Sequence, residues 1–370
     1  MRTEYKELIC SNHKEYIRRV LESKIYKPYF ACHPDLKKQM RRILASHGRN
    51  LDQEIEAGAR CVNQFHASSY FRMLTYLSCL RQDILIRKKN GGPAVTDYSD
   101  ASQQDYLSLA VIAKNEARNL DEFIRFYQCI GVDRIYFYDN GSTDNTREVL
   151  RNYMETGYLV YIRYSGSNVQ SSAYRHAVRY AGKRTRWLAF IDCDEFLFSP
   201  HKDIKQELKR YEAYPAVGVN WVMFGPSGHV ERPDGLVIKN YDETIADYDD
   251  EYNCRIKSIV QPGEVICITN PHFAWYRNHR RAVDEDMQEI DDTVAFKPGF
   301  GRAFTAVNKR KTFRINHYST KSLEDLREKC KRGYPDGHAN AVFEEQLAIY
   351  DKPLCRDREI LDIARRLEGR

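Results

Sequence analysis

The sequence predicts an α/β fold: a sheet of parallel strands with helices on its faces, preceded by a helical segment. Three observations carry that reading. Between residues 107 and 198, short apolar runs alternate with stretches whose apolar residues recur at helical spacing. The short runs are continuous rather than alternating, which marks strands buried on both faces. Cap and turn residues separate the two kinds of segment.

The elements follow in order. Residues 4–89 read mostly as helix, with Leu74, Leu77, Leu80 and Ile84 keeping helical spacing. KNGGPAVTDYSDASQQD (89–105) reads as a linker from its Gly, Pro, Ser and Asp. LSLAVIA (107–113) is a strand, and NEARNLDEFIRFYQCIG is a helix stopped by Gly131. RIYFYDN (134–140) is the next strand, and GSTDNT is a turn rich in N-cap residues before the helix TREVLRNYME. YLVYIRY (158–164), the helix QSSAYRHAVRYAG and the strand RWLAFIDCDEF complete the alternation. After the helix HKDIKQELKRYEAY the pattern turns strand-rich: VGVNWVMFG, GLVIKNY, CRIKSIV, EVICITN and TFRINHYST. KSLEDLREKCKRGY and NAVFEEQLAIYD are late helices. The expected organisation is a helical N-terminal segment with linker (1–100), an α/β domain (106–335) and a helical tail (336–370).

The chain has 370 residues and a formal net charge of +6. Residues 1–100 hold 18 Lys and Arg against 11 Asp and Glu, so the remainder comes to −1 and the basic excess is N-terminal. That argues against a nucleic-acid channel in the main domain and permits attraction of the N-terminal helices to an anionic membrane surface. The 10 Cys lack CxxC or zinc spacing, which points to a reducing cytosol. The first residues are too polar for a signal peptide, and no run approaches ~18 apolar residues. A cytoplasmic protein, peripheral at the inner face of a membrane, is the expectation.

The strand ends carry the chemistry. The first ends in Lys114-Asn115-Glu116, the second in Asp139-Asn140-Gly141-Ser142-Thr143-Asp144, the fourth in Asp192-Cys193-Asp194. In a parallel sheet these meet on one rim, where ligands bind. There is no GxGxxG after the first strand and no P-loop, which weighs against a dinucleotide site or an ATPase. Carboxylates at the end of a buried strand are costly unless something offsets their charge. Asp192 and Asp194 point apart on an extended chain and suit a hard divalent cation, Mn²⁺ or Mg²⁺, which would neutralise a diphosphate. The other reading is an Asp pair capping the turn.

IAKNEARNLDEFIRFYQCIGVDRIYFYDNGSTDNT, then WLAFIDCDEF, VNWVMFGPSGHVERPDG, KSIVQPGEV and INHYSTKSLEDLREKCKRG, form an ordered series. The series resembles the GT-A glycosyltransferases, in particular family 2 and family 92-like enzymes, and spans about residues 106–335. The resemblance implies a Rossmann-like, nucleotide-binding mixed sheet. It implies metal-dependent, inverting sugar transfer from a nucleotide-sugar, UDP-sugars favoured, to a glycan or lipid-linked saccharide, with surface polysaccharide synthesis as one setting. A nucleotidyltransferase would carry a Gly-rich basic loop where KNEARNLDE stands. A catalytically degenerate GT-A domain that binds glycans or scaffolds a complex is the non-enzymatic alternative.

The resemblance also implies roles. Lys114, Asn115 and Glu116 would line the nucleobase and ribose, and Asp139 would hydrogen-bond the base. Asp192 would face the ribose or a metal-bound water, Asp194 would ligate the metal, and His317 would complete the metal site. Lys321, Lys329 and Arg332 would meet the diphosphate. Glu195 is expected to anchor a neighbouring loop. Trp221 and His229, with Phe224, Gly225 and Ser227, are the acceptor-side candidates. The general base must be a carboxylate near the acceptor; Glu231, Asp234, Asp284 and Glu285 are the candidates.

Overall fold

A nine-stranded mixed sheet runs through residues 94–317. The computed structural model describes residues 69–100, 102–290, 303–332 and 343–369. The chain divides into two compact units, residues 1–80 and 81–370. Of the first unit, only the beginning of helix α1 (Ser69–Asn90) is described, so the helices predicted between residues 4 and 68 lie outside the described residues.

The strands of the second unit are β1 (Ala94–Thr96), β2 (Asp105–Ala113), β3 (Arg134–Asp139), β4 (Leu159–Arg163), β5 (Thr185–Phe190), β6 (Glu195–Phe198) and β7 (Ala216–Met223). They continue as β8 (Glu243–Ile245), β9 (Ile256–Val260), β10 (Val265–Asn270), β11 (Phe273–Tyr276), β12 (Arg314–His317) and β13 (Leu354–Arg356). The large sheet has the order β1-β4-β3-β2-β5-β9-β7-β12-β6. Its core, β4-β3-β2-β5, is parallel, as predicted. β9 then enters antiparallel between β5 and β7, and β6 pairs antiparallel with β12 at the far edge. The remaining strands form the pairs β10-β11 and β13-β8.

The helices are α2 (Ala117–Cys129), α3 (Thr146–Glu155), α4 (Gln170–Ala181), α5 (Ile204–Lys209), α6 (Val237–Asn240), α7 (Leu323–Arg332), α8 (Phe343–Leu347) and α9 (Leu361–Glu368). Successive strand residues feed opposite layers. Leu107, Leu109 and Val111 pack with Phe123 and Tyr127 of α2 on one face. Ala110 and Ile112 pack with Ala173, Tyr174 and Ala177 of α4 on the other. The continuous apolar runs are thus explained by a sheet covered on both sides.

Two segments depart from the sequence reading. GLVIKNY, expected as a strand, holds the short helix α6, because the Glu122 carboxylate accepts from the Val237 and Ile238 amides and fixes a helical start. The stretch expected to be a linker supplies β1, which pairs antiparallel with β4 and closes one edge of the sheet.

The start of the parallel core is pinned by a buried ion pair. Arg134 Nε donates to Asp105 Oδ2 at 2.7 Å and Arg134 Nη2 to Asp105 Oδ1 at 3.1 Å, a bidentate contact between β2 and β3. Arg134 also donates to the Gly157 carbonyl ahead of β4. Asp105→Ala should therefore leave an uncompensated buried guanidinium and cost about 3–5 kcal/mol in denaturant unfolding. A loss below about 1 kcal/mol would show the pair to be solvent-relaxed.

Candidate active site

The site lies where the strand order turns. β3 and β4 lie to one side of β2, and β5 lies to the other, which opens a crevice at their carboxyl ends. A cleft of about 710 Å³ occupies it, lined among others by Lys114, Glu116, Asp192, Asp194, Lys257 and His317. β5 and β6 are consecutive in sequence, yet β9, β7 and β12 are inserted between them in the sheet. The link Ile191–Asp194 thus meets the ends of strands that come much later in the chain.

Asp192 is held from three sides. Its Oδ2 accepts from Lys257 Nζ at 2.6 Å, and its Oδ1 accepts from Gln170 Nε2 and Tyr174 OH, both at 3.2 Å. Lys257, buried on β9, also lies 3.4 Å from Glu195 Oε2. Burial opposes the charge on Lys257, but Asp192 and Glu195 outweigh it and raise its pKa above the usual lysine value. Glu195 is fully buried and accepts from the Asp192 amide at 2.9 Å, so it anchors the acidic turn as expected. Burial pushes its carboxyl well above the ordinary value, against the pull of Lys257.

Asp194 points elsewhere. Its Oδ2 accepts from Lys329 Nζ at 2.7 Å, and its Oδ1 lies 3.5 Å from His317 Nε2. Burial opposes its charge, but Lys329 and then His317 hold the carboxyl well below the usual range. The Tyr318 amide donates to the Asp194 carbonyl at 2.8 Å and ties the turn to the end of β12. His317 is kept neutral chiefly by burial, and its Nδ1 is buried without a hydrogen-bond partner. Between the acids, burial first and then the neighbouring carboxylates push the Cys193 thiol well above its ordinary pKa, so it is an inert core residue.

The family model for glycosyltransferase family 92 matches residues 109–332, more than half of the chain and all of the strand ends just described. This chain belongs to glycosyltransferase family 92. A family 92 protein of Oryza sativa subsp. japonica is 33% identical over 162 residues, covering 42% of this chain and 27% of the rice protein. One of Arabidopsis thaliana is 27% identical over 169 residues, covering 42% of this chain and 28% of its own length. The matched region thus spans little more than a quarter of these curated relatives. Among solved structures, Staphylococcus aureus TarS 1–349 aligns with TM-score 0.33 and 13% identity, over 65% of this chain and 68% of its own. The mannosyltransferase PcManGT of Pyrobaculum calidifontis, solved with GDP-Man and Mn²⁺, aligns with TM-score 0.34 and 13% identity, over 80% and 78%. Family membership and the mixed α/β sheet bear out the GT-A, family 92-like resemblance.

The structure brings together Lys114, Glu116, Asp192, Asp194, Trp221, His317 and Lys329 in the family 92 cleft. Asn115 and Lys321 instead line an adjoining cavity of about 290 Å³, together with Arg118 and Asp194. Both are non-glycine residues with positive φ, 55° and 53°, a conformation of L residues that costs energy and needs support. Asn115 finds it by accepting from the Thr143 amide at 2.8 Å. Asp139 is buried outside the cleft lining, where its carboxylate accepts from the Ser142 amide at 2.8 Å and from Tyr161 OH; its neighbour Asn140 faces the cleft.

Several expected roles are corrected. Asp192 is engaged by Lys257 rather than turned toward a metal. Among the described residues no three His, Cys, Asp or Glu side chains are grouped as a metal site; of the expected Asp192/Asp194/His317 set, Asp194 and His317 lie 3.5 Å apart and Asp192 is turned to Lys257. The four base candidates lie outside the cleft. Glu231 and Asp234 are exposed on the loop before α6. Asp284 is buried and accepts from the Asp286 and Gln288 amides in a turn. Glu285 accepts from the Lys311 and Thr312 amides and anchors that loop. His229 Nε2 lies 3.1 Å from the Asn240 carbonyl, beside Tyr241 and away from the cleft.

Sequence reasoning passed over Lys257, His272, Tyr252 and Arg255, which all line the cleft. The signal was legible in CRIKSIV: two cations two residues apart put both on one face of an otherwise buried strand. His272 donates from Nδ1 to the Ile256 carbonyl at 2.8 Å, and burial, then Lys257, lowers its pKa to about 3. A histidine kept neutral on folding contributes stability above its unfolded pKa, and that contribution is lost as pH falls toward the folded value. His272→Asn retains an N–H donor and cannot titrate. The stability gap between wild type and this variant should move in the variant's favour by on the order of 3 kcal/mol between pH 7 and pH 4, read by urea unfolding.

Proposed function

We propose that this family 92 chain transfers a sugar from a nucleoside diphosphate sugar, UDP-sugars favoured, to a hydroxyl of a glycan or lipid-linked saccharide with inversion at the anomeric carbon. The observation that carries the reading is the pair Asp194 and His317 at the strand-end cleft, with Lys329 beside them. The donor set suits Mn²⁺ or Mg²⁺: one ionised carboxylate, one neutral imidazole whose second ring nitrogen lacks a partner, and open cleft for ligand oxygens. Such a cation, held by Asp194 and His317, would offset the negative charge of the departing diphosphate.

The chain's own residues account for the rest. Lys114 and Glu116 line the nucleotide side of the cleft. Lys329 in the cleft and Lys321 in the adjoining cavity supply ammonium groups for the phosphates. Lys257 holds Asp192 in place to accept from a ribose hydroxyl. Inversion requires one displacement, with a carboxylate taking the acceptor proton. The carboxylates lining the cleft are Glu116, Asp192, Asp194 and Glu345. Asp192 and Asp194 are paired with lysines and Glu116 accepts from the Asn119 side-chain amide, so Glu345, exposed on α8, is the base in this reading. Residues 106–335 are the transferase domain in this reading. The basic excess of residues 1–100 supports peripheral contact with the cytoplasmic face of a membrane. Among the described residues, no helix is long and apolar enough to cross one.

Calorimetric titration of UDP with and without Mn²⁺ is the test. Wild type should bind UDP in a metal-dependent manner, and Asp194→Ala should weaken that binding at least about ten-fold, or about 1.4 kcal/mol. Glu345→Gln should leave UDP affinity unchanged while lowering kcat about 10²–10⁴-fold. A folded wild type that binds no nucleoside diphosphate would remove the transferase reading. Full activity in Glu345→Gln would remove only the base assignment.

A further inference from the structure

Among the described residues, four buried cations are matched to carboxylates. Arg134 pairs with Asp105, Arg175 with Asp83, Arg314 with Asp357, and Lys257 with Asp192. Arg255, half-buried with its Nε fully enclosed, has no such partner among the described residues. It precedes β9, and its carbonyl accepts from the Trp221 amide at 2.8 Å, which fixes it beside the end of β7. Its guanidinium carbon lies 5.5 Å from the Tyr252 ring centroid, 5.4 Å from Phe304 and 5.9 Å from Trp221. Its Nε is buried without a hydrogen-bond partner, and among the described residues no carboxylate forms an ion pair with it. Burial holds its pKa below the usual arginine value, and Glu251 acts on it only as a weaker, opposing influence.

Three aromatic faces offset part of the cost of desolvating this guanidinium, but they cannot accept its N–H groups. Arg255 nevertheless lines the cleft, together with Tyr252, Trp221 and Met223. The residues that would meet the nucleotide, Lys114 on the nucleoside side and Lys321 and Lys329 at the diphosphate, come from the end of β2 and the segment after β12. Arg255 therefore belongs to the part of the cleft built from the ends of β7 and β9. A planar fork flanked by Tyr and Trp faces is suited to a sugar ring that bears an oxyanion.

We propose that Arg255 makes this end of the cleft a subsite for an anionic saccharide, one bearing a carboxylate or a phosphate, as the acceptor. The inference rests on reading the cleft as a sugar-transfer site, and it narrows the acceptor class. Arg255 supplies the charge and the bidentate geometry, and Tyr252 and Trp221 supply the ring contacts.

The test titrates methyl β-glucuronide, glucose 6-phosphate and methyl β-glucoside into the full chain, with and without UDP and Mn²⁺, by saturation-transfer NMR. Wild type should bind at least one of the two acidic sugars about ten-fold or more tightly than the neutral one. Which acidic sugar wins identifies carboxylate or phosphate as the anion. Arg255→Met should erase the preference without weakening UDP, and Arg255→Lys, which keeps charge but not the fork, should retain part of it. If Arg255→Met proves unstable, the partial loss in Arg255→Lys carries the test. Equal binding of all three sugars by wild type overturns the proposal, as does a preference that survives in Arg255→Met. A ten-fold loss of UDP affinity in Arg255→Met overturns it in favour of a diphosphate contact. Failure of wild type to bind UDP would count against the transferase reading alone, since the sugar contrast is also measured without nucleotide.

Discussion

The ammonium group of Lys257, wedged between Asp192 and Glu195, is the contact on which the site depends. Two carboxyl groups at the end of a buried strand lose hydration, and one buried lysine lies against both, although burial still outweighs its pull on Glu195. The same Glu195 oxygen that faces Lys257 also grips the Asp192 amide, which sets the turn that sends Asp194 the other way. Without that cation the acidic turn would have to shed its charge or swing toward solvent. The lysine sits on β9, the antiparallel strand inserted beside β5, so the departure from a purely parallel sheet is what delivers it.

The two acids thereby acquire different roles from the same three-residue segment. Asp192 is immobilised by four groups, namely Lys257, Gln170, Tyr174 and the backbone contact to Glu195. Asp194 has a lysine and an imidazole, both from segments that close the cleft late in the chain. One carboxylate is structural and orienting, and the other is exchangeable between cationic partners. This division follows from the turn at 192–195, closed by the Glu195 amide donating to the Asp192 carbonyl at 3.0 Å.

Much of this was legible in the sequence. The parallel core was, because strands covered on both faces must be continuously apolar and their helices must carry a stripe. The convergence of 114–116 and 192–194 followed from parallelism alone. GLVIKNY misled because three apolar residues in a short run fit a strand or a helix equally, and the deciding contact, Glu122, lies far away in sequence. The base candidates misled for the opposite reason: Glu231, Asp234 and Asp284 are close in sequence to cleft residues, but loops take them to the surface or into turns. Arg255 and Lys257 stood in view as paired cations on an apolar strand, yet their partners could not be read without knowing that β9 neighbours β5.

The insertion of three strands between β5 and β6 has a consequence for how the molecule comes into being. Asp192 meets Lys257 across 65 residues of chain, and Asp194 meets Lys329 across 135. Contacts so distant in sequence carry a high loop-closure cost and form after local structure. During synthesis the β2–β5 half emerges first, with its helices and most of its core, but with the acidic turn unneutralised. Competence to hold a ligand is therefore acquired late, when β9 and β12 take their places, and a chain interrupted before β12 would possess the parallel half of the sheet without the site.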